Sequence, residues 1–160
     1  MGLASIVRPV DRLFLLTIVL LIGCGSDSAP KAFITENATV ETVTTEDGLE
    51  LDARLFSGHQ DRIVILLHMF NSNQTAWNPF ALELQNNGVS VLTIDFRGYG
   101  TSEGNKDPGR IDRDVRAALM FSREHGDQHA VLIGGSMGGT AAIVVAAEEL
   151  VDGVISISGP

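Results

Sequence analysis

The sequence predicts an α/β protein, a three-layer αβα sandwich built on a mostly parallel sheet. Short apolar runs alternate with helical segments along most of the chain. A pair of alternating, β-branched segments joined by a turn signal precedes them. A hairpin followed by strand–helix units gives a sheet that is antiparallel at one side and parallel elsewhere. The 160 residues, 44% of them hydrophobic, suffice for one such core.

The N-terminal segment is typical of a bacterial export signal. Arg8 and Arg12 precede the apolar run 13–22, which is shorter than the ~20 apolar residues of a spanning helix. The run ends in Leu-Ile-Gly-Cys at 21–24, which resembles a lipobox and implies that Cys24 is lipidated and becomes the mature N-terminus. A simple cleaved signal, or an anchor with an incidental cysteine, is the alternative.

Three segments follow from this interpretation. Residues 1–23 form the signal peptide, 24–37 the lipidated N-terminus and linker, and 38–160 the folded domain. The linker contains the small, polar stretch GSDSAPK at 25–31, which is typical of a flexible tether. We therefore expect an exported protein that is held at the bacterial cell membrane by its lipid, on the periplasmic or extracellular face.

The domain begins with the predicted hairpin, Thr39–Thr45 and Leu49–Phe56, which is joined at Asp47-Gly48. Arg62–Leu67 is a continuous apolar run, as expected for a strand covered on both faces. Proline follows a capping residue at Asn78-Pro79, and this pair predicts the first helix.

The remaining elements alternate in the same way. Asp107-Pro108 opens a second helix, whose apolar positions recur at helical spacing, and a glycine ends each of these two helices. A third helix is rich in small residues. In order, the prediction is helix 78–87, strand 89–94, helix 107–126, strand 130–133, helix 138–150 and strand 152–158.

Composition and motifs exclude several classes of function. The net charge of −9, without basic runs, argues against a nucleic-acid partner. One cysteine permits neither an internal disulfide nor a cysteine-based zinc site. The lysine of a P-loop and the dinucleotide fingerprint G-x-G-x-x-G are both missing after the predicted strands. We therefore expect neither a cofactor nor a metal.

The pentapeptide GGSMG at 134–138 matches G-x-S-x-G between an apolar strand and an apolar helix. In such a sharp turn the neighbours of the serine must be small, which is the expected role of Gly134 and Gly138. Ser136 is then the candidate nucleophile. The amide of Met137, at the helix N-terminus, can donate to a developing oxyanion. The alternative is a glycine-rich turn that only permits close packing.

Three further landmarks stand in register with this motif. L-L-H-x-F ends at Phe70, Trp77 follows, and D-x-R-G-x-G-x-S spans 95–102. In this order and spacing the sequence resembles the α/β-hydrolase superfamily, and most of all its serine aminopeptidase and lysophospholipase-like branch. The resemblance covers 39–160 and implies a serine hydrolase.

The resemblance also implies roles for single residues. The amides of Phe70 and Met137 would form the oxyanion hole, while their side chains would line an acyl pocket or belong to the core. His68, like Asp95 and Arg97, would organise loops rather than act as the base. Met69 stands where the family usually has a glycine, and methionine resists the positive φ that glycine allows.

A serine nucleophile also needs a histidine base and an acid. His59, His125 and His129 are expected at the opposite end of the sheet from Ser136, and His68 is expected to be structural. In the family the acid and the base follow later strands. We therefore predict a hydrolase fold truncated after about the sixth strand, inactive as the 160-residue chain alone.

Two functions of different classes remain open. The first is a serine hydrolase that cleaves an ester, thioester or amide of a small-molecule, lipid or peptide substrate by acyl transfer. The second is a non-catalytic or truncated lipoprotein that uses the fold as a binding module.

Overall fold

The computed structural model of the chain describes residues 37–59, 61–127 and 129–158. The predicted signal peptide, Cys24 and all of the predicted linker except Asn37 lie outside these ranges. Among the residues described, no helix has the length and apolar character needed to cross a bilayer.

The strands form one sheet with the predicted mixture of directions. They are β1 (Thr39–Thr44), β2 (Glu50–Phe56), β3 (Arg62–Leu67), β4 (Ser90–Ile94), β5 (His129–Gly135) and β6 (Gly153–Ile157). Their order is β1-β2-β4-β3-β5-β6. β1 and β2 form an antiparallel hairpin and β2 is antiparallel to β4, whereas β4, β3, β5 and β6 are mutually parallel.

The helices follow the predicted order with shifted ends. A 3-10 turn (Gln74–Trp77) leads into α1 (Asn78–Asn86), and α2 (Ile111–Glu124) and α3 (Met137–Ala146) follow. α2 begins later than predicted because Asp107 and Arg110 close a separate turn in front of it. α3 begins one residue earlier than predicted, directly after Ser136, and ends at Ala146.

The central strand β3 shows how the three layers form. Ile63, Ile65 and Leu67 belong to the main core cluster beneath α2 and α3, while Val64 and Leu66 belong to the cluster beneath α1. Successive side chains of a strand point to opposite faces, so a continuous apolar strand needs a helical layer on each side. The predicted fold class, a three-layer αβα sandwich with a mostly parallel sheet, is confirmed.

β6 lies at the edge of the sheet as the structure describes it and pairs with β5. Its apolar side chains are partly exposed: Val154 by 40%, Ile155 by 51% and Ile157 by 49%. The carbonyl of Ile157 accepts a hydrogen bond from the amide of Ser136 at 2.8 Å. This strand therefore supports the turn between β5 and α3 and forms one edge of the described sheet.

A buried ion network fixes the loop that follows β4. The Nε and Nη2 of Arg97 donate to Asp114 Oδ1 of α2 at 2.9 and 2.7 Å, and the Arg97 amide donates to Asp114 Oδ2 at 3.0 Å. The same guanidinium donates to both carboxylate oxygens of Asp47, in the hairpin turn, at 2.9 and 3.1 Å. One side chain thereby joins the hairpin, the loop and a helix.

Arg97 and Asp47 stabilise each other's charged forms, whereas burial raises the pKa of Asp114 against the hydrogen bonds that it accepts from Arg97. Burial alone would lower the pKa of Arg97, but the hydrogen bonds to Asp114 and Asp47 outweigh burial and raise it. Hydrogen bonds from Arg97, and then from Thr45, keep the pKa of Asp47 well below its usual range. Asp114 is fully buried, so removing the arginine would leave its charge without compensation.

We expect Arg97→Met to lower the free energy of unfolding by about 3 kcal/mol, because a buried carboxylate loses its partner. Urea titration followed by Trp77 fluorescence measures this change. Arg110→Met is the control, since Arg110 and its partner Asp107 are both largely exposed and such a pair contributes about 1 kcal/mol or less. Equal losses in the two variants would contradict the importance of the buried network.

Candidate active site

Ser136 occupies the sharp turn between β5 and α3. Its backbone has φ 46° and ψ −112°, an unfavourable conformation for a residue with a side chain. The Ser136 amide donates to Ile157 O at 2.8 Å, and its carbonyl accepts from the Thr140 amide at 2.9 Å. The side chain is exposed and does not cap the helix. In the described part of the chain, its Oγ has no hydrogen-bond partner.

The glycines on either side are required by close backbone contacts. A Cβ on Gly134 would lie 2.3 Å from the Gly138 backbone, and one on Gly138 would lie 2.4 Å from Leu67 O. Gly139 has a similar constraint, 2.4 Å from the Oγ of Ser156. Real Cβ atoms do not approach backbone atoms this closely, so any larger residue would displace the turn. Gly134 and Gly138 therefore lie where the surrounding backbone leaves no room for a Cβ.

The loop after β3 lies beside this turn because Leu67 pairs with Gly134 in the parallel register. A Cβ on Gly135 would lie 2.7 Å from Met69 Cγ. The Phe70 amide, in this loop, and the Met137 amide, the first of α3, have no acceptor among the residues described. Because Phe70 follows the end of β3 and Met137 follows the end of β5, both predicted oxyanion donors lie at the carboxyl edge of the sheet.

Met69 does not take the positive φ that would be difficult for it. Within the described loop the left-handed residue is Asn71, with φ 56°. Asparagine tolerates this conformation better than most residues. The Ser72 amide donates to Met69 O at 3.2 Å and closes the turn. The loop therefore accommodates methionine by placing its strained position two residues later.

His68 joins the loops that follow β3 and β4. It is fully buried, and its Nε2 accepts from the Phe96 amide at 3.1 Å. Its Nδ1 therefore carries the proton and donates to Met69 O at 2.8 Å. Burial lowers the pKa of His68, and the nearby Lys106 charge acts in the same direction. A neutral imidazole with both nitrogens engaged organises loops and has no free nitrogen for Ser136.

The other histidines lie at the opposite edge. His129 begins β5 while Ser136 follows its end, a separation of about 20 Å at the usual rise per residue. His129 Nδ1 pairs there with Asp152 Oδ1 at 3.0 Å. His59 precedes β3, and His125 follows α2 with its Nδ1 2.8 Å from Phe121 O. Within the described ranges, no histidine is placed to take a proton from Ser136.

Asp95 is a buried organiser of the site loops. Its Oδ1 accepts from the Gln74 amide at 2.6 Å and its Oδ2 from Gln74 Nε2 at 3.3 Å. A Cβ on Gly100 would lie 1.8 Å from Oδ2. Gln74 also accepts from Thr93 Oγ1 at 2.9 Å. Sequence reasoning overlooked Gln74, because a glutamine in a polar loop carries no motif.

Tyr99 connects the two residues predicted to form the oxyanion hole. Its ring meets that of Phe70 edge-on at 6.4 Å, and its hydroxyl contacts Met137 Sδ at 3.8 Å. Tyr99 is buried, which raises the pKa of its phenol. Phe70 is 54% exposed, whereas Met137 is partly buried against the main core. Sequence reasoning assigned no role to Tyr99, although it lies inside the motif at 95–102.

No group of three or more metal-ligating side chains stands together in the part of the chain that the structure describes. The donors at the candidate site are backbone amides and one hydroxyl. This set is suited to oxyanion stabilisation and nucleophilic attack rather than to metal coordination.

Solved structures share this arrangement of elements, and curated proteins are similar to the chain in sequence. The Pyrococcus furiosus esterase Pf2001 is 25% identical, with a TM-score of 0.75 over 81% of this chain and 54% of that chain. The α/β hydrolase GrgF from Penicillium is 26% identical, with a TM-score of 0.71 over 76% of this chain and 46% of that one. The thiohydrolase aneE of Aspergillus aculeatus is 38% identical over 62% of this chain and 34% of its own length.

The chain thus spans about a third of the length of aneE and about half of the two solved chains. A family model described as serine aminopeptidase, S33, matches residues 58–159. This match covers well over half of the chain and includes the three loops that meet at Ser136. The chain therefore belongs to the serine aminopeptidase S33 family of the α/β-hydrolase superfamily.

Proposed function

We propose that the protein is a serine hydrolase that cleaves an ester, thioester or amide by acyl transfer through Ser136. The observation that carries this proposal is the turn at Ser136, where a residue with a side chain is held at φ 46° with an exposed hydroxyl. Backbone strain of this kind persists where surrounding contacts impose it. The esterase and thiohydrolase named among the similar proteins support acyl transfer to water.

The proposed reaction assigns one task to each group. Ser136 Oγ attacks the substrate carbonyl, and its proton passes to a histidine base. The amides of Phe70 and Met137 donate to the oxyanion of the tetrahedral intermediate. The carbon–leaving group bond then breaks, and the leaving alcohol, thiol or amine takes the proton. Water, deprotonated by the same base, attacks the acyl-enzyme and releases the acid.

The histidine and its acid are the parts of this mechanism that the described residues do not supply. The family resemblance places both after later strands. The second candidate is a non-catalytic hydrolase-fold protein that acts as a binding module. Reactivity at Ser136 in the full-length protein distinguishes the two candidates.

We expect a fluorophosphonate probe to label the full-length protein at Ser136, and Ser136→Ala to abolish labelling, because the phosphorus is attacked by the activated hydroxyl. Intact-mass spectrometry and peptide mapping measure the adduct. Ser57→Ala is the matched control, since Ser57 is an exposed serine just after β2, away from the turn. Equal labelling of the Ser136→Ala variant would refute the nucleophile. No labelling of the wild type would favour the binding module.

We also propose that the protein is exported and anchored to the bacterial cell membrane through a lipid on Cys24. The support is the run Leu-Ile-Gly-Cys after a short apolar segment. We expect Cys24→Ser to release the protein from the membrane fraction or to block its maturation. Fractionation and mass analysis of the N-terminus measure this, and unchanged processing with full membrane retention would count against lipidation.

A further inference from the structure

Lys106 lies on the loop between β4 and α2, and its backbone is fixed near the candidate site. A Cβ on Gly98 would lie 2.3 Å from the Lys106 amide nitrogen, so the two loop segments are in contact. The Gly98 amide donates to Glu103 O at 2.9 Å and ties the loop from the other side. The position of the lysine therefore follows from packed backbone rather than from a free loop.

The ammonium group of Lys106 lies over the ring of Tyr99, the residue that contacts both Phe70 and Met137. Its Nζ is 4.4 Å from the centroid of the Tyr99 ring. The same ring contacts Phe70, and the Tyr99 hydroxyl contacts Met137 Sδ at 3.8 Å. Met137 follows Ser136 directly. Two contacts and one peptide bond thus link this cation to the candidate nucleophile.

Most cations of the described chain are already neutralised. Six of its eight lysine and arginine side chains have a carboxylate within 4.0 Å: Arg54, Arg97, Arg110, Arg113, Arg116 and Arg123. Of the two that have none, Arg62 begins β3 at the opposite edge of the sheet. Lys106 is the one at the Ser136 edge. Although the net charge of the chain is −9, no described carboxylate lies within 4.0 Å of the Lys106 ammonium.

A solvent-exposed ammonium on an aromatic face keeps its charge available to a ligand. Lysine presents a compact point charge of +1. A single carboxylate has the matching charge of −1, whereas a phosphate monoester carries about −1.5 to −2. Phe70, which contacts the same Tyr99 ring, and Met69, which lies against Gly135, are 54% and 42% exposed, so apolar side chains are exposed beside the Tyr99 ring and the Ser136 turn.

We infer that Lys106 determines substrate specificity by binding a carboxylate on the substrate, separated from the scissile carbonyl by a short apolar chain. The substrate class is then a monoester, thioester or amide of a dicarboxylic acid, or a close equivalent. This inference rests on the proposed function, since it places the substrate carbonyl at Ser136.

The test compares mono-4-nitrophenyl glutarate with its neutral methyl ester, using the full-length protein. We expect the ratio of kcat/KM for the anionic over the neutral substrate to fall about fivefold in Lys106→Met, mainly through KM, and to be retained in Lys106→Arg. Rising ionic strength should reduce the wild-type preference, because exposed charges are screened. Arg110→Met is the control, as it removes a paired cation from the same loop.

An unchanged ratio in Lys106→Met, with hydrolysis that depends on Ser136, would overturn the inference and leave the proposed function standing. If neither ester is hydrolysed, fluorophosphonate labelling of Ser136 still decides the proposed function, and equilibrium binding decides the role of Lys106. Titration of the Ser136→Ala protein with monomethyl glutarate, followed by NMR, should then show weaker binding when Lys106→Met is added. Equal or undetectable binding in both proteins would overturn the inference.

Discussion

The backbone of α3 begins so close to the end of β3 that no side chain fits between them. A Cβ on Gly138 would lie 2.4 Å from Leu67 O and 2.7 Å from His68 O, and Gly134 faces Gly138 from within β5. With these contacts in place, the chain must reverse within one residue. That residue is Ser136, and its positive φ is the geometric result. The exposure of its hydroxyl, and the position of the Met137 amide, both follow from this reversal.

Two buried polar groups hold the loops around this turn. His68 uses both ring nitrogens to join the loop after β3 to the one after β4, and Arg97 attaches the latter loop to α2 and the hairpin. The two polar groups of these loops are thus bonded to other parts of the protein rather than to water. Pre-organisation of this kind gives oxyanion donors their effect, because they need not reorient as charge develops.

The sequence predicted much of this from local patterns. Continuous apolar runs marked the parallel strands, and G-x-S-x-G between strand and helix located the turn at Ser136. Patterns of this range could not show contacts between distant segments. Gln74 binds Asp95, and Lys106 lies over Tyr99, only because the fold brings separate loops to one edge of the sheet. The start of α2 was also misplaced, because the turn at Asp107 resembles a helix N-terminus.

Close backbone packing at Gly138 imposes the strained geometry of Ser136 on which the proposed reactivity depends. The most direct test is the rate at which a fluorophosphonate probe labels Gly138→Ala in the full-length protein, compared with Gly109→Ala, whose new Cβ would meet only the Asp107 carboxylate, at 3.3 Å. We expect the labelling rate of Gly138→Ala to fall about 100-fold, the cost of a misplacement of about 1 Å, and that of Gly109→Ala to stay near the wild-type rate. Wild-type labelling of Gly138→Ala would contradict this expectation.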